Sequence, residues 1–174
     1  MAELKVFRAN HQDMNYMGAM IEEVWENIDN VICKFSIGVS GNNVVDIYNS
    51  FEMVQKAAGK KLFIKVHCFS LDFEDIEDEN TVREVVSNLL DTIKDTFQVI
   101  AVLYVNKYGS YECVFLINAV SYITYNNFHD NNATYIELIK YLRYSTGLEW
   151  NVDVSENVLF KNDSNESLRY QAFE

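Results

Sequence analysis

Two nearly continuous apolar runs dominate the chain, at residues 99–106 (Val-Ile-Ala-Val-Leu-Tyr-Val-Asn) and 111–120 (Tyr-Glu-Cys-Val-Phe-Leu-Ile-Asn-Ala-Val). Both are rich in β-branched and aromatic residues, and Lys107, Tyr108, Gly109 and Ser110 separate them. Gly109 is free to take positive φ, so the pattern predicts a β-hairpin. Neither run alternates cleanly between apolar and polar. That predicts strands covered on both faces, at the centre of a sheet.

Elsewhere the chain switches between strand and helix periods. Residues 4–8 alternate, predicting a short edge strand. Met17, Met20, Ile21, Val24, Trp25 and Ile28 recur three and four apart behind Asp13, which predicts a capped helix ending near Asn30. Val31, Cys33, Phe35 and Ile37 then alternate with Ile32, Lys34 and Ser36, a strand that stops at Gly38. Asn42 or Asn43 can cap a second helix through Val44, Ile47, Tyr48, Phe51, Val54 and Ala58, with Gly59 at the place of a left-handed C-terminal cap. Residues 61–70 read as a third strand. Thr81-Val-Arg-Glu84 and Thr134-Tyr-Ile-Glu137 match the capping box, in which Thr and Glu satisfy each other's orphan amides. The first opens a helix through Val82, Val85, Val86, Leu89, Leu90 and Ile93, the second a helix through Ile139 and Leu142 to Gly147. Residues 121–132 read as a long polar loop, and Leu148, Trp150, Val152 and Val154 alternate as a last strand. The sum is one α+β domain over residues 1–156, an antiparallel sheet built on the central hairpin with flanking helices, followed by a partly ordered tail over 157–174.

Composition narrows the setting. At 174 residues, 49% hydrophobic and 14% aromatic, the chain can bury roughly two thirds of its unfolded surface in one core. No apolar run approaches the ~18 residues that cross a bilayer, and the N-terminus lacks a signal-peptide pattern. A soluble cytoplasmic protein with no membrane partner is expected. The net charge is −12, and Lys60-Lys61 is the only adjacent basic pair. Such a field repels a polyanion at long range, so a protein partner is expected ahead of DNA, which only a local basic patch would admit. Cys33, Cys68 and Cys113 are odd in number, far apart and set in apolar runs, which predicts buried reduced thiols rather than disulfides or a zinc site.

Chemistry is sparse. Asp72-Phe-Glu-Asp-Ile-Glu-Asp-Glu79 is strongly acidic but lacks the spacing and turn glycine of a calcium loop, so it reads as a solvated run leading into a helix N-terminus. His11, His67 and His129 lie on separate elements with no ligand pair at helical or hairpin spacing, and no metal or other cofactor is predicted. The catalytic candidates are Tyr16, His67, Glu112 and His129. A tyrosine hydroxyl can act as a nucleophile if activated, but Tyr16 is one of eleven tyrosines and reads first as a packing residue. His67 reads as a hydrogen-bonded or partly exposed strand histidine. Glu112, a charge in an apolar strand, is either paired with a lysine, turned outward at the strand end, or a buried base facing Val105 or a neighbour.

Several segments together carry a resemblance. They are Ile37-Gly-Val-Ser40, Gly59-Lys-Lys-Leu-Phe63, His67-Cys-Phe-Ser70, Phe97-Gln-Val-Ile-Ala-Val102, Phe115-Leu-Ile-Asn118 and Asn127-Phe-His129, the last followed by the helix from Thr134. In order and spacing, residues 14–143 resemble the relaxases, the mobilisation nucleases that nick plasmid DNA for conjugal transfer. The resemblance implies a relaxase-like fold whose hairpin and neighbouring strand would carry histidines around a divalent metal, with a nucleophilic tyrosine in the first helix. Here the corresponding positions read Ile64, Val105, Glu112 and Val114, and the nucleophile segment reads Gly18-Ala-Met-Ile21, with Tyr16 about a helical turn away. Valine neither binds a metal nor moves a proton. The expectation is a catalytically degenerate, non-enzymatic relaxase-like protein, an accessory or regulatory protein of a mobile genetic element acting by protein or DNA binding. The alternative is an active nickase with a rebuilt site that cleaves single-stranded DNA through a tyrosine.

Overall fold

A computed structural model describes residues 2–7, 14–62 and 64–155. In chain order the elements are β1 (Ala2–Phe7), α1 (Met14–Trp25), β2 (Val31–Ile37), α2 (Val44–Ala58), β3 (Val66–Asp72), α3 (Glu79–Ile93), β4 (Val99–Val105), β5 (Tyr111–Asn118), α4 (Asn132–Thr146) and β6 (Trp150–Ser155). The strands form one sheet in the order β2-β4-β5-β3-β1-β6. Asp13, His11 and the tail from residue 156 lie outside the described residues.

The predicted hairpin is β4 and β5, and it does sit inside the sheet, with β2 on one side and β3 on the other. Its unbroken apolar character follows from helices on both faces. Val99, Ala101 and Leu103 of β4, with Cys113, Phe115 and Ile117 of β5, pack against α3 and α4. Ile100, Val102 and Tyr104, with Val114 and Leu116, pack against Met17, Met20, Ile21 and Val24 of α1 and Ile47 and Phe51 of α2. Each fully buried Val, Leu or Ile contributes about 1.5–3 kcal/mol before conformational entropy is set against it.

Three expectations about the sheet are corrected. It is mixed rather than antiparallel, because β6 runs parallel to β1. The cause is topological: β5 and β1 point the same way, and the crossover through α4 brings β6 into the sheet in that same direction. As a result β1 is not an edge strand but lies between β3 and β6, and the edges are β2 and β6. The third strand begins at Val66, not at residue 61. Its partner β5 ends at Asn118, opposite Val66, so the ladder starts there, and among the described residues only the Lys65 carbonyl, accepting from the Ala119 amide, extends it.

Both capping boxes are displaced by three residues. Asp78 caps α3, its carboxylate accepting from the Thr81 amide at 3.0 Å and from the Thr81 hydroxyl at 2.6 Å. Asn131 caps α4 in the same way, accepting from the Thr134 amide at 3.0 Å and its hydroxyl at 3.3 Å. Asp and Asn, the stronger caps, take the position, and each Thr becomes the third helical residue whose amide is captured. Asn43, Gly59 and Gly147 stand where the pattern placed them, the glycines with φ of 64° and 69°. α1 ends at Trp25, five residues before Asn30. All three cysteines are free, Cys68 and Cys113 buried and Cys33 half-buried against the expectation of full burial. No helix among the described residues is long and apolar enough to cross a membrane.

A chain of buried amides ties α2 to the hairpin. Gln55 Nε2 donates to Asn118 Oδ1 at 2.8 Å and to the Lys65 carbonyl at 2.8 Å. Asn118 Nδ2 donates to Gln98 Oε1 at 2.7 Å and to the Phe51 carbonyl at 3.2 Å. Gln98 Nε2 reaches the Gly38 carbonyl at 2.8 Å. Asn118→Leu keeps the branched outline of the side chain but leaves Gln98 Oε1 and one Gln55 N–H without a partner, and is expected to cost at least about 2 kcal/mol in urea unfolding. Asp78→Ala and Asn131→Ala should each cost about 1 kcal/mol, and Thr81→Ala and Thr134→Ala clearly less, the reverse of what caps at Thr81 and Thr134 require.

Candidate functional site

Strand register builds a polar patch on the sheet face that looks toward α1 and α2. Tyr104, Glu112, Asp72 and Glu3 stand side by side on β4, β5, β3 and β1. The adjoining row is Val102, Val114, Ser70 and Lys5, and the one beyond it is Ile100, Leu116, Cys68 and Phe7. The face therefore passes from charged to apolar within three rows.

Lys5 is the hub of the polar rows. Its ammonium lies 3.4 Å from Asp72 Oδ2 and 3.6 Å from Glu3 Oε2. Burial works against the Lys5 charge, but Glu112, Asp72 and Glu3 outweigh it and raise its pKa above the ordinary lysine value. Glu112 accepts from Asn106 Nδ2 at 3.3 Å and from the Tyr104 phenol. Burial, followed by the neighbouring Glu112 charge, raises the Asp72 pKa against the partial relief from Lys5. Two buried oxygens, Ser70 Oγ and Asp72 Oδ1, have no hydrogen-bond partner among the described residues. Asp72 thus holds a proton more readily than a free aspartate, beside an ionisable neighbour across the ladder.

The positions expected from sequence are only partly assembled here. Tyr16, in the first turns of α1, is buried on the same face as Glu112 and Val114. Burial, with a smaller effect from Cys68, raises the phenol's pKa, so Tyr16 is harder to ionise than a free tyrosine. Val114 is core, packed with Val102 and Leu116. Val105 pairs with Tyr111 and lies on the opposite face, and the residue across from Glu112 is Tyr104. One residue along a strand reverses the side chain, which separates Val105 from Glu112 and Val114. Ile64 precedes β3 and is half-buried. The residues do not fit the divalent ion that the resemblance implies. Val114 has no donor, burial together with the neighbouring Glu112 charge keeps the Tyr104 phenol protonated, and among the described residues no group of three His, Cys, Asp or Glu side chains is placed to hold a metal ion.

His67 belongs to a different cluster, on the α3/α4 side. Its Nδ1 lies 3.8 Å from Asp130 Oδ2, and its ring stands 5.0 Å from that of Phe128. Asp130 Oδ1 in turn accepts from the Tyr135 hydroxyl at 2.7 Å. His129, next to Asp130 in the chain, is exposed. Sequence reasoning missed Tyr104, Asp72, Lys5 and Asp130. The usable signal was parity: residues two apart on a strand share a face, so Asp72 follows from Ser70 and Cys68, and Lys5 from Phe7.

No protein-family model, curated protein or solved structure matches the chain.

Asp72 carries a testable pH dependence. Because the folded carboxyl binds its proton at higher pH than the unfolded one, it is neutral in its effect below about pH 3.8, and destabilises progressively as pH rises through its raised value. Asp72→Asn is therefore expected to raise the thermal midpoint at pH 7, and the gain to vanish as pH falls below 3.8. A lower midpoint at pH 7 would show that the Lys5 ion pair outweighs burial and the Glu112 repulsion.

Proposed function

We propose that this chain is a relaxase-like scaffold that has exchanged strand-scission chemistry for binding, and acts as an accessory or regulatory protein of a mobile genetic element. The observation that carries the reading is the company kept by the first helix. α1, the element that bears the nucleophile in the relaxases, lies on the hairpin face where Tyr104, Glu112 and Val114 stand in register with Asp72 and Ser70. The layout of helix over hairpin supports the resemblance, and the side chains within it support the loss of chemistry. In-line attack on a phosphate needs an ionisable nucleophile and a positive centre to neutralise the phosphoryl oxygens. Tyr16 is buried with a raised pKa, and the two polar rows together carry three carboxylates against one lysine. A phosphodiester drawn to that row meets net negative charge.

The net charge of −12 favours a protein partner over DNA. The alternative nickase would have to draw on His67, which lies on the other side of the sheet from Tyr16 and Glu112, and on the exposed His129. The deciding experiment incubates the protein with labelled single-stranded DNA and magnesium or manganese, and resolves covalent adducts under denaturing conditions. No tyrosine-linked product is expected from the wild type. An adduct that disappears in Tyr16→Phe would overturn the proposal.

A further inference from the structure

At the far end of the α1/α2 face from the carboxylate row, a pocket of about 140 Å³ opens between α1, the last turns of α2 and the segment leading into β3. Its walls include Met17, Tyr48 and Glu52, and three lysines converge on it, Lys56, Lys60 and Lys65. The convergence is unusual for this chain. Four of its fourteen basic residues, Lys56, Lys60, Lys61 and Lys65, fall within ten positions of an otherwise acidic sequence.

The charges around the pocket do not cancel. Lys56 pairs with Glu52 at 3.2 Å, the one carboxylate in the lining. Lys60 donates to the Tyr125 carbonyl at 2.7 Å, which places its ammonium but leaves its charge and two further N–H groups unspent. Lys65 is half-buried, and its ammonium has no ion-pair or hydrogen-bond partner among the described residues. The C-terminal end of α2 contributes only about half a negative charge. About 1.5 positive charges remain around the mouth, a local field that attracts an anion.

The pocket is also held in shape. Gln55 bonds the Lys65 carbonyl at 2.8 Å, so the amide chain that anchors Asn118 fixes the backbone beneath this lysine. At Gly59 the chain turns at φ 64°, and a side chain there would meet nothing within 4 Å, so the mouth is open at that corner.

We propose that this pocket binds the phosphate of a small phosphomonoester. A phosphomonoester carries about −1.5 to −2 charges at pH 7, which matches the excess. Lysine serves phosphate as a point charge. The volume is below the roughly 300–1,000 Å³ of a site that engulfs a whole ligand, so it suits a head group, with the carbon side of the ester against Met17 and Tyr48. A polymer is the wrong ligand: its neighbouring phosphates would run over a surface of net charge −12. The site lies apart from the carboxylate row, and its test is independent of strand scission.

The experiment titrates the full chain with inorganic phosphate, phenyl phosphate and a 5′-phosphorylated single-stranded oligonucleotide, at ionic strength held constant with sodium chloride, and follows amide resonances by NMR. The Gly59, Lys60 and Lys65 amides are expected to shift saturably with phosphate, and phenyl phosphate to bind more tightly than inorganic phosphate. Lys65→Gln and Lys60→Gln should each weaken binding by about tenfold. If Lys65→Gln does not fold, the exposed Lys60→Gln decides. Shifts matched by chloride alone, affinity unchanged in Lys60→Gln, or tighter binding of the oligonucleotide than of phenyl phosphate would each overturn the proposal.

Discussion

The side-chain amide of Asn118 is the constraint on which the hairpin face depends. It closes β5, is fully buried, and is gripped from α2 by Gln55 and the Phe51 carbonyl and from the approach to β4 by Gln98. An apolar hairpin covered on both sides has little in its packing alone to forbid a slip of two residues, since Val, Ile and Leu exchange places at small cost. An amide that must find both donors and acceptors admits one alignment. The same contacts set how far α2 extends along the sheet, and so where its C-terminal lysines and Gly59 emerge. Neighbouring backbone bonds reinforce the arrangement: Asn118 donates its amide to the Gln98 carbonyl at 3.0 Å, and Ala119 donates to that of Lys65 at 3.1 Å.

The α1/α2 side of the sheet consequently has two unlike ends. One carries Tyr104, Glu112, Asp72 and Glu3 around Lys5, the other Lys56, Lys60 and Lys65 around a shallow pocket. Between them the apolar rows, covered by the inward faces of α1 and α2, hold the two sets of charge apart. Formal net charge alone hides this polarity, because it sums over both ends.

Much of the architecture could be read from the chain because it rests on local rules. Continuous apolar runs meant two-sided burial, Gly59 and Gly147 marked helix ends, and Asn43 a helix start. What could not be read depended on partners distant in sequence. The alternation of residues 61–65 reads like a strand, yet the β3 ladder begins only at Val66, opposite the last residue of β5, with a single Ala119–Lys65 bond beyond it among the described residues. The crossover through α4 decides the direction of β6, and no residue of β6 encodes it. In the candidate site, Glu112 stood out as a charge among apolar neighbours, but its companions Asp72 and Lys5 lie on strands far from it in the chain. Tyr104 was missed by a single position, enough on a strand to exchange one face for the other.

The pairing of β1 with β6 bears on how the chain reaches this state. Ala2 lies opposite Trp150, and the ladder runs on through Phe7 and Ser155, so this contact closes nearly the full length of the chain. Loop-closure entropy and contact order both set such a pairing late, after the hairpin and its neighbours have formed. Until then β1 is itself an open edge, with Glu3 and Lys5 in its ladder, and charge at an edge discourages pairing with another molecule. Wherever β6 is undocked, the lysine at the hub of the carboxylate row therefore stands on an open edge, where a charge of this kind disfavours pairing with another molecule.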